Sequence, residues 1–94
     1  MEIKLIEIRS IAGNGPLKAF ADIKIDNLTI HEFRIFKRDG QRVQVQAPLA
    51  SWRDRDGIIR YRSLLSAPPE LMQRIEVTIL SGWEKGLRNG KSAG

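Results

Sequence analysis

Trp52, Arg53, Arg55, Arg60 and Arg62 put one indole ring and four guanidinium groups within a single short stretch of the chain. Arginine presents planar, paired donors that match phosphate and the edge of guanine, and an exposed indole offers a flat face to an unstacked base. The chemistry this mixture suits is the binding of a nucleic acid, with Arg74 as a further basic candidate on a downstream helix. A plainer reading makes each set a solvated face, with Arg53 and Arg55 pairing with Asp54 and Asp56; surface pairs of that kind add little to stability. His31 is the sole histidine. No Ser, Cys or Asp stands at a recognisable catalytic spacing from it, so it reads as a hydrogen-bonded strand residue. Paired acids, a nucleophile with a base and a metal cluster are all missing from the sequence pattern, and no enzyme activity is expected.

The totals narrow the field further. A chain of 94 residues supports one domain, near the lower end of what a single core stabilises without help, and dimerisation would supply that help. With 0 cysteines, disulfides and Cys-based metal sites are excluded, and His31 would need acids or a second subunit to hold zinc. No cofactor and no metal are expected. MEIKLIEIRS lacks a basic start followed by an apolar run, so it does not read as a secretory signal, and no apolar stretch approaches a membrane span. A cytoplasmic protein with no small-molecule substrate is the expectation.

Net charge is +5, and its distribution says more than its size. Up to Phe36 five basic residues balance five acidic ones; from Lys37 onward eleven basic residues face six acidic ones. The whole excess therefore lies in the second half, which favours a polyanion partner, although a basic surface can also simply keep a small protein soluble.

The elements that must position these groups centre on Leu17 to Pro48. Leu17, Ala19, Ala21, Ile23 and Ile25 alternate with Lys18, Asp22, Lys24 and Asp26, the period of a strand with one wet face. Asp26-Asn27 and Asp39-Gly40 stand where hairpins need residues tolerant of positive φ. Between those turns, Leu28 and Ile30 fall on one face and His31, Phe33 and Ile35 on the other, with Phe36 back on the first. Apolarity on both faces predicts burial on both: one under the chain's own helix, the other under a second subunit or an exchanged strand. Phe20, alone among charges on its wet face, points the same way. Phe20, His31, Phe33 and Ile35 are thus the expected dimer interface.

Upstream, Ile3 to Arg9 reads as a strand whose apolar residues change phase, which calls for a bulge near Leu5-Ile6 or cover on both faces. Downstream, Arg42 to Gln46 is a strand ended by Pro48, Ser51 to Gly57 a long loop, and Ile58 to Ser63 another strand. Arg60 and Arg62 share one face of that strand, with Ile59 and Tyr61 opposite. Pro68-Pro69-Glu70 opens a helix whose stripe is Leu71, Met72, Ile75 and Ile79, and Gly82 marks its expected stop. Trp83 reads as a core or interface anchor. The fold class is therefore α+β, an antiparallel β-meander of about five strands with a C-terminal helix, over residues 1–86, followed by a disordered tail at 87–94.

Leu17-Lys18-Ala19, Ile25-Asp26-Asn27, Ile30-His31-Glu32-Phe33-Arg34-Ile35 and Ala47-Pro48 come in an order and spacing that resembles the stage V sporulation protein G (SpoVG, septation protein) family. The resemblance spans roughly Ile3 to Lys85, and its most specific part is the IDN turn followed by IHEFRI. Asp56, Gly57 and Arg60 also match the family's basic loop ending in Asp-Gly. This chain departs where Tyr61-Arg62-Ser63-Leu64-Leu65 replaces an acidic-apolar-Ala-His-Pro run, and its loop is about two residues longer. What the resemblance implies is a small dimeric nucleic-acid-binding regulator, binding DNA or RNA, of a family tied to septation and sporulation control. The alternative from another class is a protein-interaction module that recruits a partner through an exposed apolar sheet face.

Overall fold

The structure, a computed structural model, describes residues 1–88. Six strands and one helix follow in the order β1 (Ile3–Ser10), β2 (Leu17–Ile25), β3 (Leu28–Phe36), β4 (Gln44–Gln46), β5 (Leu49–Arg53), β6 (Ile59–Ser63) and α1 (Pro69–Arg88). β1 to β4 form an antiparallel sheet in sequence order, and β5 with β6 forms a separate two-stranded sheet. The α+β meander with a C-terminal helix is the architecture the alternation implied.

The alternation of β2 carries through to the core. Ala19, Ala21 and Ile23 are fully buried, together with Phe33 and Ile35 of β3 and Ile75 and Ile79 of α1. Leu71 and Met72 pack beside them, so the apolar stripe of the helix lies on the sheet. Leaving water with that much apolar surface is the main force holding helix to sheet. The turn between β2 and β3 has Asp26 at φ 51°, and Gly40 after β3 has φ 73°, the left-handed backbone expected of Asp-Asn and Asp-Gly.

The helix does not stop at Gly82. A β-carbon there would collide with the Leu5 side chain of β1, so this glycine is what lets the helix approach β1 closely. Trp83 is helical and half-buried against the core. The first two residues of the expected disordered tail, 87 and 88, are helical, and 89–94 lie outside the described residues.

Three register shifts interrupt the main sheet, at Leu5/Glu7, Leu17/Ala19 and Ala21/Ile23, and the first and last re-phase the strands that face the helix. In β1 the register shifts between Leu5 and Glu7, which restores Ile8 to the inner face after Ile3 and Leu5 and leaves Ile6 exposed. In β3, His31 and Glu32 together oppose the single residue Asp22, and Glu32 has φ 72°. That extra residue re-phases the strand. Ile30, Phe33 and Ile35 consequently share the inner face, while His31, Arg34 and Phe36 share the outer one. The expectation that Phe33 and Ile35 meet a second subunit is corrected here: both are fully buried under the chain's own helix. Phe20 and His31 do lie on the outer face, with Phe20 half-buried and His31 exposed.

Candidate nucleic-acid interface

Ser51 to Gly57 is not the long loop its composition suggested. Leu49–Arg53 is a strand, paired with Ile59–Ser63 from Leu49 opposite Ser63 to Arg53 opposite Ile59. The connecting turn is short and tightly built. Gly57 donates its N–H to the Asp54 carbonyl at 3.0 Å with φ 77°, and Asp54 N–H bonds the Ile58 carbonyl at 3.0 Å. This is a type I turn closed by a glycine bulge. The Asp54 carboxylate organises it from within: Oδ1 accepts from the N–H of Asp56 at 2.9 Å and of Ile58 at 3.0 Å, and Oδ2 accepts from Arg60 Nε at 2.8 Å. The Arg60 hydrogen bond first, then the Ile58 amide, hold the Asp54 carboxyl below its ordinary pKa.

Strand pairing sorts the basic residues. Residues directly opposite in an antiparallel pair share a face. Ala50 opposite Arg62 and Trp52 opposite Arg60 make one face of the hairpin; Ser51 opposite Tyr61 and Arg53 opposite Ile59 make the other. Trp52 is thus neighbour to Arg60 and Arg62 and not to Arg53, a grouping the linear sequence does not display. Ala50, Trp52 and Arg62 of that face, with Ser63 and Leu64 at the end of β6, line an open groove of about 410 Å³. Arg53 lies on the opposite face, where its Nη1 donates to the Gly57 carbonyl at 3.2 Å, and Arg55 stands exposed at the turn. Among the described residues no ion pair joins Arg53 or Arg55 to Asp54 or Asp56, because Asp54 is taken by Arg60 and by the turn amides.

The hairpin packs chiefly on itself. Trp52, Ile58, Ile59, Tyr61 and Leu64 are all about half exposed or more, while Leu49 and Ala50 at its base and Asp54 in its turn are half-buried. Arg74 is not part of this set. Its Nη2 donates to the Met1 carbonyl at 3.1 Å, beside the start of β1, where it lines a groove with Ile3, Gln73, Val77 and Thr78.

A second polar assembly, unforeseen in the sequence, sits on the outer face of the main sheet. Asp22 is only 5% exposed, yet every oxygen has partners. Arg9 grips it with both nitrogens, at 2.6 and 3.2 Å, the bulge amide of Glu32 donates at 3.1 Å, and His31 Nδ1 lies 3.2 Å away. Arg9 also reaches Glu7 at 3.0 Å and Glu32 at 3.5 Å. The Arg9 guanidinium above all, with the Glu32 amide and His31 assisting, holds the Asp22 carboxyl down at about 2 against the burial that would raise it. This network pins the β3 bulge in place. The sequence signal was a charged residue, Asp22, in the middle of the strand that forms the core. His31 is accounted for as a strand residue bonded to that carboxylate.

Among the described residues no helix is long and apolar enough to cross a membrane, and no group of three His, Cys, Asp or Glu could hold a metal ion. No family model, curated protein or solved structure matches this chain.

Proposed function

We propose that this protein is a homodimeric nucleic-acid-binding regulator, of the kind the IDN and IHEFRI resemblance implies, acting in the cytoplasm without catalysis. The observation that carries the reading is the β5–β6 ribbon, which stands open on both faces and presents Trp52, Arg60 and Arg62 together, with Arg53 and Arg55 near its tip. A two-stranded ribbon has the width to enter the major groove of a duplex, and arginines along it can contact phosphates on either side. Phosphate contacts would supply most of the affinity and make it depend steeply on salt. The groove beside Trp52 suits an unstacked base, with Arg62 at its wall.

The dimer part of the proposal also moves to this ribbon. An isolated two-stranded hairpin is marginally stable in water. Its second face exposes Ile59 at 51% and Tyr61 at 62%, so a second copy packed there would cover apolar surface and present two basic ribbons at once. The same exposed face favours the other reading, in which the ribbon recruits an unrelated protein and the basic charge serves solubility.

Salt separates the two. A mobility-shift series with single-stranded and duplex DNA and RNA at two salt concentrations is expected to show binding that weakens steeply as salt rises. Binding absent at low salt would rule the nucleic-acid reading out, and capture of a protein partner insensitive to salt would support the other.

A further inference from the structure

The charge excess of the sequence lies beyond Phe36, yet folding assembles a second aromatic and basic surface that draws on both halves of the chain. On the outer face of the main sheet Phe20 of β2 stands opposite Arg34 of β3, and Arg34 stands opposite Gln46 of β4; Phe36 follows two residues along β3, opposite Gln44. The Arg34 guanidinium lies 5.9 Å from the centre of the Phe20 ring, and that of Arg38 lies 5.3 Å from the centre of the Phe36 ring. Each ring thus carries a guanidinium, and the two rings stand on adjacent strands, separated by the register shift between Leu17 and Ala19. Beside Phe36, a groove of about 260 Å³ is lined by Arg38, Gln44, Val45 and Gln46.

Resting on the reading of the protein as a nucleic-acid binder, we infer that this corner of the sheet is a stacking platform for single-stranded nucleic acid. A sheet face carrying aromatics on adjacent strands is a geometry on which splayed bases stack, and guanidinium planes stack bases as well. Each base would lie on, or replace, the guanidinium already covering a ring. Gln44 and Gln46, exposed on the three-residue edge strand, offer amide donors and acceptors to base edges. Charge is complementary as well. The carboxylates of this sheet face, Glu7, Asp22 and Glu32, are neutralised around Arg9, which stands opposite Phe20, and none lines the corner groove. A second copy seated on the same corner would bring Arg34 and Arg38 against like charges across a two-fold axis, which disfavours it as the occupant.

Fluorescence anisotropy with a short oligothymidylate and with a duplex oligonucleotide, on the full chain, separates this surface from the hairpin. The variant Phe20→Leu with Phe36→Leu keeps the face apolar and removes both rings; the variant Arg34→Gln with Arg38→Gln keeps the rings and removes the cations. Each is expected to lose roughly tenfold or more of the single-strand affinity, with duplex affinity held within about twofold. Single-strand affinity equal to the parent's in both variants, while the parent binds both ligands, would overturn the platform and leave the hairpin reading standing. A parent that binds neither ligand would overturn both. Should the leucine variant fail to fold, the glutamine variant decides. If sedimentation shows these substitutions dissociating a dimer with single-strand binding intact, the corner is a subunit contact and the inference is wrong.

Discussion

The sheet-helix body and the β5–β6 hairpin are built from the same kinds of residue and obey opposite rules. In the body Phe33, Ile35, Ile75 and Ile79 are fully buried and a nearly buried carboxylate has every oxygen satisfied; in the hairpin Ile59, Tyr61 and Trp52 stand in water and the organising carboxylate, Asp54, serves an exposed turn. One region spends its apolar residues on stability. The other keeps an indole, two isoleucines and four arginines outside, held in register by backbone pairing and a single tight turn. Exposed apolar and basic groups on a two-stranded ribbon gain little for the monomer, which supports the proposal of a partner.

The contrast can be broken hardest in the body. Phe33→Asp places an unpaired charge in the fully buried centre, and circular dichroism should show an unfolded chain at room temperature. Ile75→Ala should cost on the order of 2 to 5 kcal/mol by denaturant titration, the range for emptying a large aliphatic site under a helix. An unchanged midpoint would mean that α1 does not seal the sheet.

The Asp22 network yields a pH signature. Its carboxyl titrates at about 2 when folded, below the ordinary 3.8, so its contribution is complete above about pH 4 and disappears as pH falls through about 2. The magnitude is on the order of 2 kcal/mol, and the loss should fall in that acid window. Asp22→Asn should lower stability at neutral pH by a similar amount and remove this component of the acid dependence. A parent and variant with parallel stability curves between pH 4 and pH 2 would show that Arg9 does not grip Asp22 in solution.

The hairpin should respond in the opposite sense. Ile59→Ser and Tyr61→Ser are expected to change monomer stability by no more than about 0.5 kcal/mol, the usual scale for exposed positions. Their effect should appear instead in sedimentation, as a shift of the proposed dimer toward monomer. A large loss of stability from either at a concentration where the protein is monomeric would mean that the hairpin packs as the body does.

Much of the body was legible in the sequence because its signals were local and periodic. Alternation from Ala19 to Ile25, Asp-Asn and Asp-Gly at the turns, and the stripe from Leu71 to Ile79 each correspond to one structural choice, whereas Leu17 falls beyond a register shift, opposite Phe36, and leaves the core. What escaped were single-residue departures from period. Glutamate at positive φ carries no turn signal, so the β3 bulge was invisible, and without it Phe33 and Ile35 fell on the wrong side of the sheet relative to Ile30. Gly82 looked like a helix stop because glycine commonly is one; its reason here is the neighbouring Leu5, a contact distant in sequence. For the hairpin, charge and Trp-Arg-Asp composition hid a strand whose pairing comes only from β6. The basic residues were visible individually, but their division into a Trp52, Arg60 and Arg62 face and an Arg53 face follows from register alone.

The account stands on the separation of a stabilising body from a binding arm, and one variant tests it most directly. Trp52→Ala, Arg53→Gln and Arg55→Gln combined remove the indole and two of the four arginines of the arm without touching the core; thermal melting and the slope of log affinity for duplex DNA against log salt are then measured on the same preparation. The expected result is a melting midpoint within a few degrees of the parent's, affinity reduced broadly across sequences, and a slope flatter by about one to two units, as when one or two phosphate contacts vanish. Parental affinity with the parental salt slope would contradict the account.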